Sequence, residues 1–273
     1  MNSLRTLRKI SAFFWRDLAI ARGYRGALVL ETLEALFGVA TYYYLSRFVQ
    51  SPELARELPA GSSYFAFALV GFAFFDYLSV SIGAFDASLE EAHQNRTLEA
   101  LLVTQTPLPV ILAGSALYPF AALALRTCVY LGWGMLLFGF APQSANWPAA
   151  VAILLASILA FAGLGIMSAS YQILFKRGNP AKWVVLGVSG LVGGMMYPIT
   201  VLPRPLQLLA RMIPVTYSLE GMRAALLSGA GWREVWPSVA ALLIFAAILL
   251  PLSFTLFGWA LRRTKITGTL THI

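Results

Sequence analysis

Residues 148–175 read PAAVAILLASILAFAGLGIMSASYQILF, without one charged side chain. A helix rises 1.5 Å per residue, so about 20 apolar residues cross the ~30 Å hydrocarbon core of a bilayer. This stretch is long enough. Its apolar residues run on instead of alternating, which argues against a barrel strand. In hydrocarbon every backbone N–H and C=O needs a partner inside the chain, and a helix supplies all of them within one segment. The stretch Pro148–Phe175 therefore reads as a membrane-spanning helix.

Applied outward in both directions, the same rule finds five more spans, at Ala27–Phe48, Ser62–Phe85, Ser115–Phe140, Trp183–Leu202 and Ser238–Leu261. Composition agrees: of 273 residues 59% are hydrophobic and 12% charged, a balance that one water-soluble core could not hide. The expectation is an all-α integral membrane protein whose residues 1–273 form a single transmembrane domain. Cys128 is the sole cysteine, which excludes an intrachain disulfide and a thiolate cluster, and it reads as a small buried apolar residue.

The net charge of +8 does not indicate nucleic acid, because Lys and Arg sit at the ends of the apolar runs and not along one soluble face. They read as membrane anchors. With six spans both termini share a side. The terminal segments and the second and fourth loops carry Arg5, Arg8, Lys9, Arg16, Arg22, Arg25, Arg96, Lys176, Arg177, Lys182, Arg262, Arg263 and Lys265. The opposite side carries Arg47, Arg56, Arg204, Arg211, Arg223 and Arg233. The positive-inside rule puts the termini in the cytoplasm. The first 26 residues are broken by charges too often for the apolar heart of a secretory signal, so a retained N-terminus is expected.

Three segments depart from the plain pattern. In residues 1–26, Leu4, Leu7, Ser11, Phe14, Leu18 and Ala21 recur at spacings of three and four, which predicts an amphipathic helix in the membrane interface with Trp15 at headgroup depth. Residues 86–107 form a charged loop in which Leu98, Leu101 and Leu102 suit a short cytoplasmic helix, broken by Gln105-Thr106-Pro107. The fifth span holds Gly187, Gly190, Gly193 and Gly194 and is interrupted by Pro198 and Pro203, so it should be short, closely packed and broken near its outer end. Residues 203–237, with Pro205 and Pro214, predict short half-inserted or surface-lying helices.

Chemistry is sparse. No lysine follows a glycine in these 273 residues, so the Gly-Lys pair of a P-loop is missing. His93 and His272 are the only histidines, too few for a His-rich zinc site or an HExxH helix. No metal and no bound cofactor are expected. Two charges stand out as deep within spans, Asp76 in the second and Arg126 in the third. Each costs about 2.5–3.5 kcal/mol at a helix centre if unpaired. Their similar depth on adjacent antiparallel helices predicts that they pair, either to fix helix register or to line a translocation path. Glu31 and Glu34 share a face of the first span and are expected to meet Arg22, Arg25 or an N-terminal base. Tyr42, Tyr43 and Tyr44 read as an aromatic belt, with a stacking surface for a sugar or amphiphile as the alternative.

Together these features resemble the transmembrane subunit of a type 2 ATP-binding-cassette exporter. Glu90-Glu91, followed by Asn95-Arg96-Thr97-Leu98-Glu99-Ala100-Leu101-Leu102-Val103-Thr104-Gln105-Thr106-Pro107, is similar to that family's cytoplasmic E…GTLE-x-LL…TP stretch. Arg96 stands for the usual glycine and one extra residue precedes the proline. The run Gly194-Met195-Met196-Tyr197-Pro198, then Leu202-Pro203, Ile213-Pro214-Val215-Thr216-Tyr217 and Glu220-Gly221-Met222-Arg223, resembles the family's outer segment. The resemblance implies a homodimer or heterodimer of permease subunits in the cell membrane, with the conduit at their interface. It also implies two separate P-loop ATPase subunits, which bring ATP and Mg, and a coupling role for Glu90, Glu91, Arg96, Thr97, Leu98, Glu99, Leu101 and Leu102. An outer gate would comprise Tyr197, Pro198, Pro203, Pro214 and Tyr217. The rival reading is an ion-coupled secondary transporter, which calls for paired broken helices where only the fifth span shows a strong break. A membrane enzyme would need Glu90, Glu91, His93 and Glu99 on one face, and helical spacing spreads them. For the cargo, mostly apolar spans favour a drug-like or lipid-like amphiphile over a polysaccharide.

Overall fold

The computed structural model describes residues 3–23, 25–49, 57–59, 62–94, 108–142, 145–175 and 179–266. Among these the ordered elements are all helical. In chain order they are α1 (Ser3–Gly23), α2 (Arg25–Phe48), α3 (Tyr64–Gln94), α4 (Leu108–Phe138), α5 (Trp147–Phe175), α6 (Pro180–Val192), a 3₁₀ turn (Ile199–Val201), α7 (Arg204–Arg211), α8 (Pro214–Leu227) and α9 (Trp232–Ile266).

Length and apolarity qualify four stretches to cross a bilayer: Tyr64–Ala87, Ala116–Phe138, Trp147–Phe175 and Trp232–Thr264. The chain is an all-helical integral membrane protein. Helix α2 is 24 residues long, but Glu31, Glu34 and three tyrosines reduce its apolarity. Helix α6 has 13 residues, hence a length of about 20 Å, short of a full crossing. The fifth run thus ends as a helix at Val192 and not at Leu202. At Gly194 the backbone takes φ +84°, a left-handed conformation that a side chain would strain. Extended chain, the 3₁₀ turn, α7 and α8 then fill the space before α9.

Other boundaries also differ from the expectation. Helix α3 continues through Asp86 to Gln94, so the first part of the expected 86–107 loop is helix. Asp86 is buried there, where Ser168 and Asn179 donate to its Oδ2 at 2.9 and 3.1 Å. Asn179 also caps α6, accepting from the Lys182 N–H, with Pro180 in the first turn where its missing N–H costs nothing. One side chain therefore starts α6 and ties it to α3. Helix α9 begins at Trp232, ahead of the expected Ser238, and carries Pro237 and Pro251 internally. Membrane helices accommodate such prolines because neighbouring groups satisfy the carbonyls they release.

The core sits between α3, α5, α8 and α9, where Tyr77, Phe74, Phe161, Ile153 and Leu219 are fully enclosed. Close approach needs small residues: a Cβ on Gly163 would lie 2.7 Å from Leu249 Cβ, and one on Gly165 2.7 Å from the Ser81 carbonyl. Van der Waals packing at such contacts is what holds helices together once lipid has removed the hydrophobic drive between them. Helix α1 packs along α4, with Phe13 seated over Gly114 and Phe14 6.2 Å from the Tyr118 ring. Of the expected α1 stripe, Phe14, Leu18 and Ala21 are half-buried, Ser11 is exposed, and the Leu4 and Leu7 side chains lie outside the described residues. Cys128 is exposed, not buried, because it falls on the outward face of α4 between Thr127, which is buried, and Val129.

Candidate functional site

Two arginines in apolar surroundings organise the polar interior. The first is Arg126. Asp76 lies twelve residues from the Tyr64 end of α3, Arg126 twelve from the Phe138 end of α4, and Glu34 fourteen from the Phe48 end of α2. Those ends adjoin one another, and 1.5 Å per residue puts all three charges at a similar depth of about 18–21 Å. Arg126 Nε stands 3.1 Å from Asp76 Oδ2, and Arg126 Nη2 donates to Glu34 Oε1 at 3.1 Å. The Tyr130 hydroxyl joins them, accepting from Arg126 Nε at 2.8 Å and donating to Asp76 Oδ2 at 3.2 Å. The structure thus brings Asp76 and Arg126 together and adds Glu34, for which the sequence predicts Arg22, Arg25 or an N-terminal base as partner. The side chains of Asp76 and Arg126 are 18% and 24% exposed and that of Glu34 67%, so the trio opens to one side, along α2.

The second is Arg223, counted from the sequence among charges flanking the membrane but 5% exposed in the structure. It lies on α8 and binds only neutral acceptors. Its Nη1 donates to the Gly194 carbonyl at 2.6 Å and its Nη2 to that of Met195 at 2.7 Å. Nε and Nη2 reach the Phe67 carbonyl on α3 at 3.3 and 3.1 Å, and the guanidinium carbon stands 3.4 Å from the centre of the Phe67 ring. The chain just past α6 has carbonyls with no helical partner, and Arg223 serves them while holding them against α3. Gly71 makes the approach possible, since a Cβ there would collide with the Met195 carbonyl and lie 2.5 Å from Arg223 Nη2. Arg223 ends the run Glu220-Gly221-Met222-Arg223, and its signal in the sequence is an arginine between the apolar residues Met222 and Ala224.

The expected outer-gate residues surround this lock. Tyr197 donates its hydroxyl to the Leu191 carbonyl near the end of α6. Pro198 precedes the 3₁₀ turn, Pro203 precedes α7 and Pro214 opens α8, each where a missing N–H is harmless. The Tyr217 hydroxyl donates to the Arg211 carbonyl at 3.1 Å, and Thr216 Oγ1 donates to that of Ala210 at 2.7 Å. Every one of these bonds fastens the turns of the broken segment to each other. At the same end of the bundle Tyr43 turns inward, its ring 4.8 Å from that of Phe138 and 5.4 Å from that of Phe65, while Tyr44 stays exposed. Tyr42 packs as well, its ring 4.7 Å from that of Phe72, so packing uses two rings of the three.

For the coupling stretch the structure describes backbone only as far as Gln94, so Glu90 and Glu91 lie on the last turns of α3. Arg96, Thr97, Leu98, Glu99, Leu101 and Leu102 lie outside the described residues. Among the described residues no group of three or more His, Cys, Asp or Glu gathers as a metal ligand set.

Comparison with known proteins gives two findings. The model of the family described as ABC-2 type transporter matches residues 12–227. The linearmycin resistance permease protein LnrN of Bacillus subtilis (strain 168) is 27% identical over 192 residues, covering 65% of this chain and 46% of that protein. The match thus spans about half the length of that relative.

Proposed function

This chain belongs to the ABC-2 type transporter family, and on that premise we propose that it is the permease subunit of an ATP-driven exporter. One observation carries the proposal: the family match over residues 12–227 covers three of the four long apolar stretches and the broken segment that Arg223 fastens. In this reading α2 and α6 complete six spans, α1 lies in the interface, and both termini face the cytoplasm of a cell membrane. Two copies of the permease subunit, identical or not, frame the conduit. Two P-loop ATPase subunits bind beneath and carry ATP and Mg.

Residues 90–104 then form the coupling helix. A short helix held between α3 and α4 passes a rigid-body displacement of the ATPase into packed helices, which respond by shifting between discrete arrangements. Tyr197, Pro198, Pro203, Pro214 and Tyr217 form the outer gate. The relative's name joins a permease to resistance against linearmycin, which supports a drug-like or lipid-like amphiphile over a polysaccharide as cargo.

The test is a gentle extraction of the C-terminally tagged chain from its native membrane, followed by mass spectrometry of what co-purifies. A P-loop ATPase at one to one, lost on Leu98→Asp or Leu101→Asp, is the expected result. A chain that runs alone and transports without ATP would make it an ion-coupled secondary transporter, the reading that the membrane-embedded trio Glu34, Asp76 and Arg126 would then favour.

A further inference from the structure

The trio carries an unbalanced charge. Asp76 and Glu34 share the guanidinium of Arg126, two anions to one cation, and no further cation among the described residues forms an ion pair with either carboxylate. The inner part is satisfied: Asp76 Oδ2 takes both Arg126 Nε and the Tyr130 hydroxyl. Glu34 is the outer member, its Oε1 engaged by Arg126 and its side chain two-thirds exposed. Around it the exposed face of α2 is mostly apolar, with Leu30 and Phe37 a turn to either side and Leu33 beside it, and the exposed Glu31 one turn before adds a second acid and no cation. A carboxylate at this depth is costly against lipid tails, so what covers it must be polar or charged. Charge and surroundings together define the occupant: a positive head on an apolar body.

We propose that Glu34, backed by Arg126 and Asp76, is a binding site for amphiphilic cations. Glu34 meets the positive group, Phe37 and Leu30 meet the apolar body, and Arg126 holds the carboxylate in place against α4. The site deepens the permease reading by giving its cargo a charge class, and it rests on that reading for its role in transport. Binding itself does not depend on an ATPase partner, so the two can fail separately.

The experiment is equilibrium binding of tetraphenylphosphonium to the full chain in nanodiscs of anionic lipid that lacks amines, corrected for empty discs. Tetraphenylborate, the same shape with the opposite charge, is the matched probe. Saturable binding of the cation is expected, with weak or no binding of the borate. Glu34→Gln should weaken cation binding about tenfold or more, the loss of one charge contact in a poorly solvated site. Glu57→Gln, an exposed acid on the segment that meets Thr200, should leave it unchanged. Glu34→Asp, which keeps the charge, should restore part of the affinity. Phosphatidylethanolamine in the discs separates the two sources of such a head: competition would assign the cation to a lipid, and no competition to a soluble amphiphile. Equal binding of both probes, or an unchanged affinity in Glu34→Gln, would overturn the proposal. So would loss of a dimer in Glu34→Gln without any cation binding in the wild type, since a second copy of the chain would then be what covers the carboxylate.

Discussion

Arg126 and Arg223 are the same residue in the same apolar chain, and they are satisfied in opposite ways. Arg126 faces two carboxylates, stays partly exposed, and belongs to a cluster that opens along α2. Arg223 faces three backbone carbonyls and an aromatic ring, and is closed off on every side. A cation among carboxylates can exchange partners when another charge arrives, and its neighbourhood suits a site that binds. A cation among carbonyls at the end of a helix has nowhere better to go, and its neighbourhood suits a fastening. The contrast sets the proposed recognition site at the α2–α3–α4 corner apart from the fastening at the α3–α6–α8 corner.

The sharpest way to break the comparison is Arg223→Met. It leaves the Gly194 and Met195 carbonyls without a donor in a buried place, at about 1–3 kcal/mol for each orphaned group. We expect a loss of about 3 kcal/mol in equilibrium unfolding in detergent, with the broken segment becoming accessible to labelling of a cysteine placed at Met195, which is buried, in a Cys128→Ser background. A variant as stable as the wild type would mean that α6 is held by packing alone. Gly71→Ala attacks the same lock from the other side, and overpacking there should cost about 2 kcal/mol.

Asp76→Asn and Arg126→Gln, singly and together, sharpen the other half. The two single losses should exceed what additivity allows, with a coupling of about 1 kcal/mol, because either variant alone leaves a charge at membrane depth without its partner. Zero coupling would separate them despite the 3.1 Å approach. Tyr130→Phe removes one hydroxyl that bonds both and should cost about 1 kcal/mol. Glu34→Gln should do least to unfolding, for its side chain is mostly exposed, and its effect should show in ligand binding instead.

Much of the bundle was legible because hydrocarbon imposes one rule on every residue of a span. The charge-free run in α5 and the apolar stretches of α3, α4 and α9 needed no knowledge of their neighbours. The break after α6 was legible from Gly193, Gly194, Pro198 and Pro203, whose backbone limits are local. The helical continuation past Phe85 was not, because Asp86 looked like the start of a loop. Its cost inside the bundle is met by Ser168, far away in sequence, and by Asn179. Arg223 misled for the same reason: charge alone placed it outside the membrane, while its partners lie in two segments distant in sequence, Phe67 on α3 and Gly194-Met195 past α6.

By itself, then, the sequence determined that this protein lives in a membrane as helices, where its fifth run fails, and that Asp76 and Arg126 require a partner at similar depth. Period, length and the absence of charge are properties of single segments, and the bilayer reads them one at a time. Only the tertiary structure decided that Glu34 joins the pair, that its carboxylate is the one left open, and that Arg223 closes the broken end against α3. Those outcomes depend on which faces of which helices meet. That is set by the close approach at residues such as Gly71, Gly163 and Gly165, through packing that no single segment contains.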